Sequence, residues 1–410
     1  MKKDILFLCQ YFYPENNSSA TLPFDTARYL VQAGFCVDAL VGYPKEYCQN
    51  EHIPIRETVD GVGIRRIRYL QLRRAKKLGR LINYFSFIVS ALCHCARLRK
   101  YHSVIVYSNP PVLPLVAAVA NALFGTKIIF VAYDVYPEIA YASNSVKPGS
   151  ILDKVMQWVN HSVYKRISAV IALTDEMKAF LLQNRPGLTE DKVITIANWA
   201  HEGKTQANTT AYDVFGYTKD QFIVSYFGNM GVCQDMETLL GAAETLADRS
   251  DIQFLLVGHG VKLENISRRI AEKKLRNVTL LPFLTGEKFQ QAVAISSCCV
   301  VTLEKGLKGM CAPSKYYSYL QGGKPVLAVT DEGSYLQSEI EKEQLGYAVT
   351  VGQVQELADV ICRMQQNPDD CRNMGIRVQE HYEREYAKKV GLAKYQDVFT
   401  KLLPKDATNG

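Results

Sequence analysis

The chain has 410 residues, of which 48% are hydrophobic and 22% are charged, and it contains 11 cysteines and a net charge of +7. That length predicts two or three domains, each with a core of its own, and the composition excludes disordered, collagen-like and disulfide-scaffold proteins. The positive charge is local, because residues 61–133 hold twelve lysines and arginines and no acid, so the rest of the chain is net acidic.

Alternating strands and helices fill the first half of the chain. Its strands are apolar on both faces, which predicts a parallel sheet covered by helices on both sides. Thr174 is the predicted N-cap of the last helix. The predicted elements are strands at 5–9, 36–41, 103–107, 127–132, 169–173 and 192–196, and helices at 22–32, 113–124, 151–167 and 175–183.

The polar segment 198–212 is the predicted linker, and the second half repeats the alternation. We expect an α/β protein with domains at 1–205 and 206–375, and a charged helical segment at 376–410 that packs back toward the first domain. Two such units place a ligand cleft between them, at the carboxyl ends of their strands. The second set of elements comprises strands at 222–227, 252–257, 278–281, 298–303 and 325–329, and helices at 236–248, 261–274, 289–297 and 315–321.

A glycine-bearing loop at 306–313 leads into the helix 315–321. Ser314 is the predicted N-cap and Lys315 opens the helix. Free amides, the positive end of the helix dipole and an ammonium would then meet at one spot suited to an anion such as a diphosphate. An ordinary capped helix with a surface lysine produces the same pattern, so both interpretations stay open from these residues alone.

Two further glycine turns follow strands in the second half, at 228–231 and 258–260. Glycines let the backbone approach a ligand closely. Plain strand-to-helix turns, with His259 a solvated loop residue, are the alternative interpretation.

Two carboxylates, Asp134 and Glu138, follow the strand 127–132 on either side of Pro137. At the end of a parallel strand they would accept hydrogen bonds from sugar hydroxyls or act as a base. A helix start and a salt-bridged glutamate are the alternative. Cys93, His94 and Cys95 lack a second ligand pair, so we predict no metal site and no cofactor.

The acid-free segment contains a basic run followed by an apolar, aromatic-rich stretch too short to span a membrane. This order suits a helix that lies on an anionic leaflet, and a core helix with a solvated basic start is the alternative. No nucleic-acid motif is present, so we predict no nucleic-acid partner. Without an export signal, we expect a cytoplasmic protein, peripheral on the inner face of the cell membrane. The predicted membrane-facing residues are Arg73, Arg74, Lys76, Lys77, Arg80 and Phe85.

Taken in order, these motifs resemble glycosyltransferase family 4, whose members have the GT-B fold of two Rossmann-like domains facing across a cleft. Within that family, the chain resembles bacterial members that build surface polysaccharides such as capsule, O-antigen and exopolysaccharide. The segments that carry the resemblance are 11–15, 134–138, 173–177, 196–199, 226–230, 257–260, 313–315 and 323–326.

The chain departs from that family pattern at several positions. Met310 and Ser318 stand where the family has two glutamates, and Asn229 and Gln234 stand where it has an arginine and a lysine. Ser318 would then hold the donor ribose more weakly. Lys315 and the loop amides would carry more of the donor's diphosphate charge.

The resemblance implies a retaining, metal-independent transferase that moves a sugar from a nucleotide sugar, UDP-linked rather than GDP-linked, to a polyprenyl-diphosphate-linked saccharide. The donor phosphate itself would take the acceptor's proton. A catalytically inert GT-B scaffold that binds the membrane or a partner is the alternative. The implied catalytic residues are Lys315, Asp134 and Glu138. The implied donor-binding residues are Gly228, Asn229, Met230, Gly258, His259, Pro282, Phe283, Leu284, Gly309, Pro313, Ser314, Lys315 and Ser318. The implied acceptor-binding residues are Asn16, Asn17, Ser18, Ser19 and Asn109.

Overall fold

The structure is a computed structural model that describes residues 2–44, 53–72, 77–200 and 210–403. Its contacts divide the chain into two units. The first comprises Met1–Asn198, Gly309–Ala312 and Lys389–Gly410, and the second comprises Trp199–Lys308 and Pro313–Lys388. The predicted boundary after residue 205 lies outside the described residues.

A parallel sheet with one antiparallel edge forms the centre of the first unit. Its order is β3-β4-β2-β1-β5-β6-β7-β8, and only the β3–β4 pair is antiparallel. The strands are β1 (Lys3–Cys9), β2 (Val37–Gly42), β3 (Arg56–Val59), β4 (Val62–Ile67), β5 (Tyr101–Tyr107), β6 (Lys127–Ala132), β7 (Ala169–Ala172) and β8 (Val193–Thr195).

Helices connect these strands, as parallel pairing requires. They are α1 (Ser18–Gln32), α2 (Lys77–Cys93), α3 (Pro114–Phe124), α4 (Glu138–Ala142), α5 (Ile151–Tyr164) and α6 (Asp175–Asn184), with 3-10 turns at Cys95–Lys100 and Glu190–Lys192. The largest core cluster of this unit packs α2, α3 and α5 against the central strands.

The second unit has an all-parallel sheet in the order β11-β10-β9-β12-β13-β14. Its strands are β9 (Phe222–Asn229), β10 (Ile252–His259), β11 (Val278–Leu281), β12 (Cys298–Thr302), β13 (Val326–Thr330) and β14 (Gly346–Thr350). The remaining helices are α7 (Thr210–Phe215), α8 (Glu237–Thr245), α9 (Leu263–Glu272), α10 (Gly286–Ile295), α11 (Ser314–Gln321), α12 (Tyr335–Glu343), α13 (Val354–Gln366), α14 (Pro368–His381) and α15 (Lys388–Leu402), with a π turn at Tyr382–Tyr386.

Each sheet reverses its direction of growth once. In the first unit, β2 to β4 lie on one side of β1, and β5 to β8 lie on the other side. In the second unit, β10 and β11 lie on one side of β9, and β12 to β14 lie on the other. Ligands of open α/β sheets bind outside the carboxyl ends of the strands at such switch points. The predicted α/β architecture of two Rossmann-like units is therefore confirmed.

Several predicted element boundaries are wrong by a few residues, and they matter for the site. β9 and β10 run two residues further than expected, so Asn229 and His259 end strands instead of lying in loops. Ser18 and Ser19 open α1 instead of a polar loop, with Asn17 at the N-cap.

Pro313, not Ser314, is the N-cap of α11, because Ser314 is already the first helical residue. The predicted cap of α6 is confirmed, since the Thr174 hydroxyl accepts a hydrogen bond from the Met177 amide at 3.0 Å. Among the described residues, none of the helices combines the length and the apolar character needed to cross a bilayer.

Candidate functional site

Lys315, the predicted catalytic cation, is fixed at the switch point of the second unit. Its ammonium donates to the hydroxyl of Tyr226 at 2.6 Å and lies 4.2 Å from the centre of that ring. Tyr226 is fully buried in β9 and donates its own hydroxyl to the Asn229 carbonyl at 2.6 Å. Burial raises the pKa of Tyr226, which keeps the phenol neutral. The positive charge is thereby held beside the carboxyl end of β9.

The glycines of the two predicted turns allow β9, β10 and the Lys315 side chain to approach one another closely at this end of the sheet. A side chain at Gly258 would put its Cβ 1.8 Å from the Gly228 carbonyl oxygen. Gly228 has φ +121°, and a Cβ there would lie 3.4 Å from Cε of Lys315. The glycines thus serve the packing of β9 against β10 and against the lysine stem.

The loop after β11 brings together two of the predicted donor-binding residues. The rings of His259 and Phe283 meet edge to face, with centroids 5.3 Å apart. Both side chains are exposed, as is Pro282, and Leu284 is half-buried. This pair presents aromatic surface at the ends of β10 and β11.

The helix α11 divides its predicted residues between surface and core. Ser314 is exposed, whereas Pro313, Lys315 and Ser318 are half-buried. Met230 is fully buried in the core of the second unit, and its amide and carbonyl are already hydrogen-bonded to His259 and Lys262.

Sequence reasoning missed a second lysine at this switch point. Lys262 donates its ammonium to the carbonyl of Gln234 at 2.7 Å and forms an ion pair with Glu304, which follows β12. Its backbone amide also donates to the Met230 carbonyl at 3.0 Å. Lys262 therefore brings a cation to the loop where the family lysine is replaced by Gln234. The only signal in the sequence was its place two residues beyond Gly260.

Gly309 is grouped with the first unit, whereas the other predicted donor-binding residues belong to the second. Its amide donates to the Glu176 carboxylate at 2.9 Å, and the next carbonyl, that of Met310, accepts from the Val135 amide at 2.8 Å. Cys311 forms an antiparallel bridge with Asp134. Residues 309–312 therefore line the loop that carries the predicted carboxylates.

Asp134 and Asn109 lie at the switch point of the first unit. The Ser108 hydroxyl accepts hydrogen bonds from the amides of Tyr133 at 3.0 Å and Asp134 at 3.1 Å, which ties the end of β5 to the end of β6. Burial raises the pKa of Asp134 to about 6. A carboxyl with that pKa is able to exchange a proton near neutral pH.

Two side-chain amides with buried polar atoms lie at the same end of the sheet. Gln10 directly follows β1, and Asn17 directly precedes α1. Gln10 is 1% exposed, and both its side-chain oxygen and nitrogen lack a hydrogen-bond partner among the described residues. The Asn17 side-chain nitrogen is also buried without a partner in that part of the chain. Unsatisfied buried amides are costly, which is typical of a site that a ligand completes. Sequence reasoning missed Gln10, because a single glutamine after an apolar strand carries no signal.

Three other predicted acceptor residues adjoin Asn17 in the chain. Asn16 is exposed, and Ser18 and Ser19 are half-buried in the first turn of α1. The Asn17 carbonyl accepts the amides of Ala20 and Thr21, both at 2.9 Å.

Glu138 is engaged by an arginine that the sequence did not single out. Arg185 binds its two carboxylate oxygens at 2.7 Å each and also donates to the Tyr136 carbonyl at 2.9 Å. The guanidinium carbon lies 5.6 Å from the centre of the Tyr164 ring. The catalytic assignment of Glu138 stays a prediction, while the contacts themselves fix the loop that leads into α4.

The predicted membrane-facing residues are only partly described. Arg73, Arg74 and Lys76 lie outside the described residues, and for Lys77 and Arg80 the backbone alone is described. Phe85 is 42% exposed and shares one face of α2 with two other exposed apolar residues, Leu81 at 37% and Val89 at 59%. No group of three potential metal ligands occurs within the described ranges.

Comparisons with known proteins assign both halves of the chain. The family model "Glycosyl transferase 4-like domain" matches residues 24–199, and "Glycosyl transferases group 1" matches residues 221–367. The probable glycosyltransferase WbjE of Pseudomonas aeruginosa is 22% identical over 78% of this chain and 79% of its own length. The putative colanic acid biosynthesis glycosyl transferase WcaI of Escherichia coli K12 is 26% identical over 34% of this chain and 36% of its own.

A solved structure has the same fold along nearly the whole chain. The crystal structure of Anabaena Alr3699/HepE in complex with UDP-glucose superposes with a TM-score of 0.71 at 14% identity, covering 97% of this chain and 100% of that one.

Proposed function

Because the chain belongs to the GT-B glycosyltransferases and is related to enzymes of polysaccharide biosynthesis, we propose that it transfers a sugar from a UDP-sugar to a lipid-linked saccharide. One observation carries the donor half of this proposal. The ammonium of Lys315 is held by Tyr226 at the end of β9, at the switch point of a Rossmann-like sheet. A fixed cation at that place suits a diphosphate.

The donor contacts follow from the same set of residues. The Lys315 ammonium stabilises the negative charge that develops on the departing UDP. Lys262, paired with Glu304, holds the Gln234 loop in place. The exposed His259–Phe283 pair offers a surface for the base, and Ser318 contacts the ribose. UDP is the preferred nucleotide because HepE, which shares the fold, was solved with UDP-glucose.

Charge neutralisation and positioning carry the chemistry. The acceptor hydroxyl attacks the anomeric carbon while the bond to the diphosphate breaks, and the donor phosphate takes the hydroxyl proton, with retention of configuration. The Asp134 carboxyl, with its pKa raised to about 6, orients the acceptor hydroxyl. Glu138, held by Arg185, positions the loop that carries Asp134.

The acceptor half of the proposal rests on the first unit. Gln10 and Asn17 leave buried amide groups without partners among the described residues, and sugar hydroxyls satisfy such groups as both donors and acceptors. A polyprenyl-diphosphate carrier would keep the acceptor at the inner face of the cell membrane. The exposed stripe of Leu81, Phe85 and Val89 on α2 supports peripheral docking there.

Thermal unfolding with added UDP tests the donor site. UDP should stabilise the protein by about 2.7 kcal/mol at one hundred times its Kd, and Lys315→Ala should lose most of that stabilisation. Lys342→Ala is the matched control, because that side chain is 81% exposed and belongs to α12. GDP should stabilise less than UDP. No stabilisation by UDP at millimolar concentration would instead favour the inert scaffold.

Co-sedimentation with vesicles tests the membrane surface. Binding to vesicles that contain phosphatidylglycerol should fall at least tenfold in Phe85→Ser/Val89→Ser. Ile376→Ser, which changes an apolar residue 54% exposed on α14, should have no effect. Replacing Arg73, Arg74, Lys76 and Lys77 by glutamate should abolish binding. Unchanged binding in both sets of variants would rule out docking through this segment.

A further inference from the structure

A cavity lies in the first unit, at the edge of the sheet opposite to the switch point. It has a volume of about 920 Å³, and its walls include the starts of β1, β2, β4 and β5 at Lys3, Asp38, Gly63 and Tyr101. We call it the amino-edge cavity. Its size is that of a typical small-molecule site. Neither the acceptor-side residues nor the donor-side residues line it.

Positive charge dominates the walls of the amino-edge cavity. Its two acids are already neutralised, because Asp38 accepts from Lys3 at 2.7 Å and from the Tyr101 hydroxyl at 2.6 Å, and Glu57 pairs with Arg66 at 2.5 Å. No salt bridge to a described residue reaches the six remaining bases. Those bases are Lys2, Arg56, Arg65, Arg97, Arg99 and Lys100.

Arg65 occupies the least favourable position among them. It stands directly opposite Arg56 in the β3–β4 pair, where like charges destabilise a sheet. Its Nε is buried and has no hydrogen-bond partner among the described residues. Burial, followed by the charges of Arg97 and Arg56, lowers the pKa of Arg65. Among the described residues, these guanidinium groups therefore have no acidic partner to compensate them.

We propose that the amino-edge cavity binds a phosphate-bearing anion, with Arg65, Arg97 and Arg56 as its principal ligands. Guanidinium groups bind phosphate oxygens through paired, charge-assisted hydrogen bonds, and half-buried Arg65 and exposed Arg56 stand opposite each other at this wall. A bound anion also removes the repulsion between the arginines. Part of the acid-free basic segment then serves this cavity, separately from the predicted membrane face.

Calorimetric titration of the full-length protein with inorganic pyrophosphate tests the proposal. UDP is present at saturation, so that any site for UDP is occupied. Arg65→Gln/Arg97→Gln should weaken pyrophosphate binding at least tenfold. Arg268→Gln/Arg276→Gln, which removes the same charge from exposed positions of the second unit, should leave it unchanged. Lys315→Ala should also leave it unchanged, which separates this cavity from the donor proposal.

A second arm identifies the source of the phosphate. If the wild type binds phosphatidylglycerol vesicles but not pyrophosphate, and Arg65→Gln/Arg97→Gln loses the vesicles while Arg268→Gln/Arg276→Gln keeps them, the anion is a lipid headgroup. Binding of neither probe overturns the proposal, as does equal weakening in the control pair, which would indicate long-range attraction only.

Unfolding without ligand guards against a folding defect. Arg65→Gln removes one member of a like-charge pair, so its melting temperature should equal or exceed that of the wild type. Added sodium chloride should raise the melting temperature of the wild type more than that of the variant. If Arg65→Gln unfolds at a lower temperature and responds to salt like the wild type, the arginines of the cavity do not repel one another and the proposal fails.

Discussion

Single residues at the switch point of the first unit are held in energetically unfavourable states. Asp134 is buried enough to raise its pKa to about 6, and Gln10 keeps both amide atoms without partners among the described residues. Fold stability alone does not explain such groups, because apolar residues of similar size would be cheaper to bury. Their cost is reasonable where a ligand supplies the missing partners.

The pKa of Asp134 sets a pH dependence of stability. Its folded-state pKa is raised, so the wild type should lose stability as pH rises from about 4 to about 7, by at most roughly 3 kcal/mol. Asp134→Asn should lack this loss and exceed the wild type in free energy of unfolding at pH 7.5, with the difference shrinking toward pH 4. Urea unfolding at a series of pH values measures it. A pH-independent difference would contradict the assigned pKa.

The ion pair between Glu138 and Arg185 predicts an asymmetric response to mutation. Arg185 is only 8% exposed, so Arg185→Met should leave the Glu138 carboxylate unpaired and cost about 3 kcal/mol. Glu138→Leu/Arg185→Met should recover most of that loss, because no unpaired charge remains. Urea unfolding of both variants measures the effect, and equal stability of the two would show that the pair contributes little.

At the scale of elements, α11 fills the space where β9 and β12 separate. β9 pairs with β12 only at Val224 and Ser225. Beyond Ser225, the Tyr319 side chain takes the hydrogen bonds of β9 that β12 does not reach. Its hydroxyl accepts from the Phe227 amide at 2.9 Å and donates to the Phe227 carbonyl at 3.2 Å. The helix that carries Lys315 is thereby attached to the strand that carries Tyr226.

This attachment predicts a coupled loss of stability and nucleotide binding. Tyr319→Phe would leave the buried Phe227 amide and carbonyl unpaired, at a cost of about 1–3 kcal/mol. UDP affinity should fall together with stability, because α11 then positions Lys315 less firmly. Calorimetry with UDP checks this. Tyr84→Phe, in α2, is the control for loss of a phenol and should leave UDP affinity unchanged.

The elements could be predicted from sequence where their strands are apolar. β6 and β11 have the predicted bounds. β6 is a buried parallel strand, and such a strand is a continuous apolar run between turn residues. The β3–β4 hairpin was not predicted, since Arg56–Val59 alternates exposed and half-buried residues at a sheet edge. Motif order predicted the glycosyltransferase family, and the residues of its site stay a prediction. The pairings of Lys262 with Glu304 and of Arg185 with Glu138 span 42 and 47 residues and leave no local pattern.

At the scale of the whole molecule, the two units are not two consecutive stretches of chain. The last helix, α15, belongs almost entirely to the first unit. Phe399 is fully buried there, with its ring centroid 6.4 Å from that of Phe35, and Tyr395 is buried as well. The first unit is therefore complete only when the carboxyl-terminal helix has been synthesised.

Removing that helix contact should destabilise the first unit. Phe399→Ala deletes a buried aromatic side chain and should cost about 3–5 kcal/mol. Amide hydrogen exchange should show the loss in β1 and β2, while protection of β10 changes little. Ile376→Ala, at a site 54% exposed on α14, is the control. Equal loss of protection in both sheets would show that the units unfold as one.

Residues 309–312 have a practical consequence for exchanging parts between related enzymes. Although they follow β12 in the chain, they pair with the loop around Asp134 and belong to the first unit. A chimera joined once near residue 200 would inherit this short segment, and the final helix, from the wrong parent. Matched hybrids need junctions on both sides of 309–312 and another near residue 388, so that each unit is transferred without pieces of its neighbour.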